Sequence, residues 1–139
     1  MCSSDLHGGD KMGYTHYYTQ QRDLTDVEWN AAIGLIDDII RVSPVKVRFF
    51  ANDDYLILNG VESSHEDFCI TRINSGFNFC KTARKPYDLV VCAALILINQ
   101  MAPDAFDISS DGSIHDWQYS IDFLDEHIDY DQRTIDFLW

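Results

Sequence analysis

The 139-residue chain carries a formal net charge of -13, and 46% of its residues are apolar and 13% aromatic. This composition is typical of one globular domain that can bury a core, and it excludes a disordered chain. A pI near 4.4 argues against general binding to nucleic-acid phosphates, which needs a broad basic face, so no nucleic-acid partner is expected.

The first eleven residues differ from the rest of the chain. Residues 1–11 are polar, contain several Ser and Gly, and lack any hydrophobic period. We expect a disordered or artefactual leader with no function, a natural start at Met12, and a single domain over residues 12–139.

The N-terminal half predicts one strand, one helix and a run of strands. Residues 13–20 are rich in aromatic and β-branched residues, which favours a strand. A Thr25-x-x-Glu28 capping box then opens an amphipathic helix that ends at the Ser-Pro pair at 43–44. Residues 45–49, 55–58 and 68–73 predict further strands, separated by turn residues at 52–54 and 59–60.

The C-terminal half predicts two helices around a short strand. Pro86 suits the first position of the second helix, which runs to about Met101 and is apolar nearly all round, as a buried central helix is. Residues 106–109 predict a strand, and apolar residues from Ile114 to Ile128 recur at helical spacing. The order predicts an α+β single domain with an antiparallel or mixed sheet of about 4–6 strands and three helices.

A basic segment in this acidic chain is the first candidate binding site. Residues 70–86 contain no acidic residue but hold four of the ten basic ones: Arg72, Lys81, Arg84 and Lys85. Arg84 can grip a phosphate with two hydrogen bonds, Lys81 and Lys85 add charge, and Thr82 adds a hydroxyl. Backbone N–H groups near Tyr87 and Asp88 would complete an anion site. The alternative is a structural loop that pairs with the acidic C-terminal helix.

The aromatic strand is the second candidate. Tyr14, His16 and Tyr18 share one face and could stack on a base or ribose, as could Trp117. The alternative is a core strand with the hydroxyls at its rim.

Two polar loops are further candidates. His65 lies among Ser and acidic residues and could act as a general base near neutral pH, or the loop could be merely polar. Ser110 and Asp111 follow a strand and precede a helix, where they could contact a ribose or simply form a turn and helix cap. A metal site from His16, His65 and Glu66 lacks an i, i+4 ligand pair, so no metal site is expected. The leading hypothesis also expects no cofactor and no catalytic residue.

The cysteines and apolar stretches indicate the compartment. Cys2, Cys69, Cys80 and Cys92 form no C-x-x-C pair, which predicts a reduced cytoplasmic protein without structural zinc. The longest apolar stretch, residues 89–98, is too short to span a bilayer, so no membrane partner is expected.

Four segments resemble a family of small proteins from bacteriophage and bacterial genomes: residues 12–18, 64–68, 79–88 and 108–112. The most specific of them reads Lys-Thr-Ala-Arg-Lys-Pro-Tyr-Asp from Lys81 to Asp88. The phage context implies a role in countering host defence as a sponge that sequesters a nucleotide-derived immune signal. It also implies that the cytoplasm would be that of the host cell.

The leading hypothesis is therefore a non-catalytic binder of a small anionic, nucleotide-derived molecule. A sponge needs slow release, so a homo-oligomer is expected. One alternative is an enzyme that hydrolyses such a ligand with His16 or His65 as base. Another is an acidic inhibitor of a host protein, because residues 104–139 hold ten acidic residues and one basic one.

Overall fold

The computed structural model describes residues 13–131 together with 135 and 137, so the predicted leader lies outside the described residues. The elements are β1 (Thr15–Gln20), α1 (Asp26–Val42), β2 (Val47–Ala51), β3 (Tyr55–Gly60), β4 (Phe68–Thr71), β5 (Phe79–Lys81), α2 (Asp88–Met101), β6 (Phe106–Ser110) and α3 (Gln118–His127). The α+β class, the three helices and the antiparallel strands are confirmed. The six strands form two three-stranded sheets.

The first sheet has the order β5-β1-β6, with the N-terminal strand in its centre. Tyr17 lies opposite Phe79 on one side and Ser109 on the other. The second sheet is a meander of β2, β3 and β4, in which Leu58 pairs with both Phe49 and Phe68. Because every neighbour in the second sheet is also the next strand along the chain, short turns suffice to build it.

Two side chains of β1 join the sheets. The Tyr18 hydroxyl donates to the Cys69 carbonyl at 3.0 Å and accepts from the Cys69 N–H at 3.3 Å. The Gln20 amide donates to the Thr71 carbonyl at 3.1 Å. Both backbone partners lie on β4, the edge of the second sheet, so these side chains satisfy groups that a neighbouring strand would otherwise bond.

Helix α2 forms the centre of the core. Its residues from Val90 to Ile98 are all buried, and the helix packs against α1, α3 and β6. This agrees with the all-round apolar pattern, although the helix starts two residues after Pro86. Among the described residues, no helix is long and apolar enough to cross a membrane.

Helix α1 begins with the predicted capping box. The Glu28 N–H donates to the Thr25 hydroxyl at 3.1 Å, and the Thr25 N–H donates to the Glu28 carboxylate at 3.0 Å. Arg22 also donates to both Glu28 oxygens, at 2.8 and 2.9 Å. Hydrogen bonds from Arg22 and then from the Thr25 backbone lower the pKa of Glu28 from 4.5 to about 2.

This shift predicts that Glu28 stabilises the fold at neutral pH and ceases to do so in acid. Its pKa is lowered on folding, so its contribution is present above about pH 4.5 and disappears as pH falls toward about 2. We expect Glu28→Gln to be less stable than the natural chain at pH 7, with the gap closing in acid. Urea denaturation across this pH range measures the gap. Asp37→Asn, at an exposed position of the same helix, is the control. A gap that stays constant with pH would contradict the prediction.

Candidate functional site

A buried polar network lies between β1, β6 and α2. His16 is fully buried, and its two ring nitrogens lie 2.8 Å from the Ser110 hydroxyl and 2.6 Å from the Asp88 carboxylate. The Thr82 hydroxyl donates to the same Asp88 oxygen at 2.6 Å. The Cys92 thiol lies 3.4 Å from His16 Nε2. These residues come from two strands, a loop and a helix, so the network links four parts of the fold.

The hydrogen bonds at Ser110 assign the tautomer of His16. Ser110 Oγ accepts from the Gly112 N–H at 2.9 Å and from Trp117 Nε1–H at 3.2 Å. A hydroxyl has two acceptor lone pairs, so its own hydrogen must point to Nδ1 of His16. The neutral ring therefore carries its proton on Nε2 and donates it to Asp88.

Asp88 is the acceptor at which the network ends. Its oxygens receive hydrogen bonds from His16, Thr82 and, at 3.5 Å, the Cys92 thiol. Burial, and then the Asp88 charge, raise the pKa of Cys92 well above its ordinary value, so the thiol stays protonated. One carboxylate with neutral donors around it is a stable way to hold a charge near the protein interior.

The same side chains offer ligand types that bind transition metals. One ligand atom each from His16, Asp88 and Cys92 lie within 4.8 Å of one another. A metal would need a free Nε2 and a thiolate. Because Nε2 carries the ring proton and burial keeps the thiol protonated, the arrangement fits a hydrogen-bond network better than a metal site.

A strained turn lies above this network. Ala83 and Arg84 have φ values of 52° and 58°, and the Lys85 N–H donates to the Thr82 carbonyl across them. Consecutive positive φ values are usual for Gly or Asn, and each such non-Gly residue costs on the order of 1–3 kcal/mol. The turn directs the Arg84 guanidinium to 4.0 Å from the centre of the Tyr14 ring. Arg84 also donates to Asp116 at 3.0 Å.

Tyr14 lies between the turn and the network. Its ring contacts the His16 ring edge-on at 5.0 Å between centroids, and the side chain is 3% exposed. Its hydroxyl is buried and has no hydrogen-bond partner among the described residues. Burial is the largest cause that raises the pKa of Tyr14 above its ordinary value, and the nearby Asp88 carboxylate adds to the shift. The Tyr14 ring therefore lies beneath the exposed Arg84, while its hydroxyl is buried without a partner.

Three aromatic residues of the predicted site are fully covered. Tyr18, Tyr87 and Trp117 each have 0% exposure. Tyr18 bonds to β4, and the Tyr87 hydroxyl donates to the Glu66 carbonyl at 2.5 Å. Trp117 packs edge-on against His16 at 4.9 Å. A nucleotide base therefore cannot stack on these three rings in this structure, because they face inward and pack in the core.

The remaining predicted residues lie around the network without joining it. His65 is exposed, and its backbone exchanges hydrogen bonds with the Asn59 side chain. Asp111 is exposed and accepts from the Thr15 N–H at 3.1 Å and from the Tyr17 hydroxyl at 3.1 Å. Lys81 donates its N–H to Glu66 at 2.7 Å, and Lys85 is half-buried on the strained turn. The structure thus brings together Tyr14, His16, Thr82, Arg84, Ser110 and Trp117.

The predicted backbone anion site is wrong at its centre. The Asp88 N–H was expected to be free, but it donates to the Lys85 carbonyl at 2.9 Å. The next N–H groups, of Leu89 and Val90, donate to Pro86 and Tyr87. A tight turn before the helix supplies these acceptors, so these three N–H groups are not free for an anion.

The cysteines only partly match the expected reduced state. Cys80 and Cys92 are free thiols, and both are buried. Cys69 is not a free thiol, so the prediction of a fully reduced chain is wrong at that position.

Two described cavities lie elsewhere. One of about 330 Å³ is lined by Asp26, Trp29, Asn30, Asp53 and Arg72. The other, of about 600 Å³, is lined by Arg48, Phe49, Phe50, Ile57, Asn59 and Asp67 on the second sheet. Arg72 of the basic segment lines the first cavity, and none of the other predicted site residues lines either one.

The sequence did not predict the roles of four residues in this region: Cys92, Gly112, Asp116 and the side chain of Asp88. A signal existed for two of them, because Asp88 and Cys92 stand at i, i+4 and so share a helix face. That pair lies outside the set of His16, His65 and Glu66 that was considered for a metal site. Asp116 also had a local signal, because the Ser113-x-x-Asp116 pattern predicts the bond by which the Ser113 N–H donates to Asp116 at 2.8 Å, whereas the close approach of Gly112 to Tyr14 had none.

Comparisons of this chain with protein families, curated proteins and solved structures found no match.

Proposed function

We propose that this protein binds a small anionic, nucleotide-derived molecule at the surface around Arg84, whose guanidinium stacks on the buried Tyr14 ring, and holds it without converting it. We call this surface the Arg84 site. Its proposed role is that of a phage anti-defence sponge that sequesters a nucleotide-derived signal in the host cytoplasm.

The placement of Arg84 carries the proposal. Its side chain is 61% exposed in a chain whose net charge is -13, and two strained residues hold it over an aromatic ring. Strain of this kind persists only where the surroundings impose it, and it concentrates at functional sites. A guanidinium can bind a phosphate with two hydrogen bonds while it stays stacked on Tyr14.

The saturation of the buried network supports binding over catalysis. His16 is fully buried, and both its nitrogens already have partners. Ser110 accepts two N–H groups in addition to donating to His16, so its oxygen has no lone pair left for attack on a ligand. His65 is exposed, but no side-chain hydrogen bond in the described residues orients it as a base.

Arg84→Ala is expected to abolish ligand capture, whereas Arg84→Lys retains it only weakly. The purified protein would be incubated with cyclic dinucleotides and ADP-ribose derivatives, separated from unbound compound, and heat-denatured, and the released compounds identified by mass spectrometry. Arg41→Ala is the matched control, because it removes the same charge from an exposed position on α1. Capture that survives Arg84→Ala, or that falls equally in Arg41→Ala, would refute the Arg84 site.

One observation favours the enzyme alternative. Ser110, His16 and Asp88 form a hydrogen-bonded chain of 2.8 and 2.6 Å, in the order of a hydroxyl, a base and a carboxylate. The same assay separates the two functions, because release of a cleaved compound would indicate turnover. If turnover occurs, and His16→Gln removes turnover but not ligand capture, the enzyme hypothesis is preferred over the sponge hypothesis. If nothing is captured, the exposed acidic residues of α3 become the surface on which to seek a protein partner.

A further inference from the structure

Strand β2 has an open edge. The Val61 N–H donates to the Lys46 carbonyl and the Asn52 N–H donates to the Tyr55 carbonyl, which fixes the even-numbered residues as those that bond to β3. The N–H and C=O groups of the odd-numbered residues, Val47, Phe49 and Ala51, therefore face away from the sheet. In the part of the chain that the structure describes, these groups have no hydrogen-bond partner.

The other outer strands are protected in ways that β2 is not. At β4, Tyr18 and Gln20 bond to the outward backbone groups. At β5, Glu66 bonds to both the N–H and the C=O of Lys81. Strand β6 carries the exposed Asp107, and acidic side chains of two copies would repel one another there. Strand β2 carries no acidic residue, and its single charge is Arg48.

The outer face next to this edge is apolar and exposed. Phe50 is 55% exposed, and its ring lies 5.8 Å from that of Tyr55. With Ile57 and Arg48 it lines the cavity of about 600 Å³. An edge strand with unpaired backbone and an exposed aromatic face is a template for another strand.

We propose that β2 pairs with β2 of a second copy of this chain, which joins the two meanders into one six-stranded sheet across a two-fold axis. An antiparallel register centred on Phe49 places Val47 opposite the partner's Ala51. The outward N–H groups of each strand then meet outward carbonyls of the other.

This register is also self-complementary in its side chains. Arg48 lies directly opposite the partner's Phe50, on the same outer face, and the two-fold axis repeats the pair. A guanidinium over a phenyl ring is a favourable contact, and it occurs twice in the dimer. The inward face of β2 keeps Val47, Phe49 and Ala51 against the core, so no residue has to change sides.

Arg48→Glu tests the dimer. The natural chain is expected to sediment as a dimer at physiological ionic strength, and Arg48→Glu is expected to weaken dimerisation by about tenfold or more, because a carboxylate replaces the guanidinium over each ring. Arg41→Glu makes the same charge change at an exposed site on α1 and is expected to have no effect. A monomeric natural chain, or equal weakening by both variants, would overturn the proposal.

A second experiment tests the register. Arg48→Cys chains mixed with Phe50→Cys chains are expected to form a mixed disulfide under mild oxidation, because directly opposite positions lie within bonding distance. In a dimer of either variant alone, the two new thiols are offset by two residues along the paired strands. Each variant alone is therefore expected to cross-link far less. Equal cross-linking of the single variants and the mixture would exclude the Phe49-centred register.

Discussion

Replacing His16 with alanine is expected to lower the free energy of unfolding by about 3 kcal/mol, and the melting temperature by roughly 10 °C. The substitution removes the ring that joins Ser110 on β6 to Asp88 on α2. The Ser110 hydroxyl then has no acceptor, and Asp88 loses its hydrogen bond from the imidazole. The side chain is also fully buried, so its removal leaves a cavity next to Tyr14 and Trp117.

Urea denaturation followed by circular dichroism measures this loss. His65→Ala is the matched control, because His65 is exposed, and its removal is expected to change stability by less than about 0.5 kcal/mol. The slope of the unfolding free energy against urea concentration should be the same for His16→Ala and the natural chain. Equal slopes would indicate that both chains expose the same surface on unfolding. A loss below about 1 kcal/mol would mean that the network contributes little to the fold and that its residues are held for another reason.

Gly112→Ala is expected to destabilise the protein by about 2 kcal/mol or more. A methyl group at this position would lie 2.1 Å from the Tyr14 hydroxyl and 2.8 Å from the ring carbon that carries it. The ring cannot easily move away, because Arg84 lies over it and His16 lies beside it. Movement of the Gly112 backbone would instead disturb its N–H bond to Ser110.

Gly34→Ala is the control for this substitution. Gly34 lies in α1 with nothing within 4 Å of its added methyl group, so alanine there is expected to stabilise the helix by about 0.5–1 kcal/mol. The two glycine substitutions are thus expected to have opposite signs. Similar effects at both positions would contradict the close approach of Gly112 to Tyr14.

The Tyr14 hydroxyl gives a second test of that contact. Tyr14→Phe removes a buried hydroxyl that has no partner, so it is expected to be neutral or to stabilise the protein by up to about 1 kcal/mol. In the Tyr14→Phe background the cost of Gly112→Ala is expected to fall, because the nearest clashing atom is gone. If Gly112→Ala destabilises both backgrounds equally, the added methyl group clashes with the ring of residue 14 or with the backbone, and not with the Tyr14 hydroxyl.

These stability tests bear on the proposed function. If His16→Ala unfolds readily while Arg84→Ala remains stable, the buried network holds the fold together and Arg84 does not. Arg84 pairs with Asp116 at the surface, where single ion pairs contribute little, so loss of capture in Arg84→Ala would not reflect unfolding.

The sequence by itself determined the class of fold. Helix α2 could be recognised because its apolar residues surround the helix, and α1 because Thr25 and Glu28 form a capping box. These are local signals, since helix periodicity and capping depend on residues only a few positions apart. The sequence also located the basic turn that carries Arg84, because an acid-free stretch stands out in an acidic chain.

Only the tertiary structure decided what the site residues do. Ser110 and Asp88 lie 94 and 72 positions from His16 along the chain, and no local pattern records that both bond to one ring. The two sheets are joined by contacts of the same kind, because the side chains of Tyr18 and Gln20 bond to β4 residues 51 positions further along the chain. Tyr18, Tyr87 and Trp117 lie in the core, which the sequence alone did not show. Whether an aromatic ring is exposed to solvent depends on how elements distant in the chain pack around it.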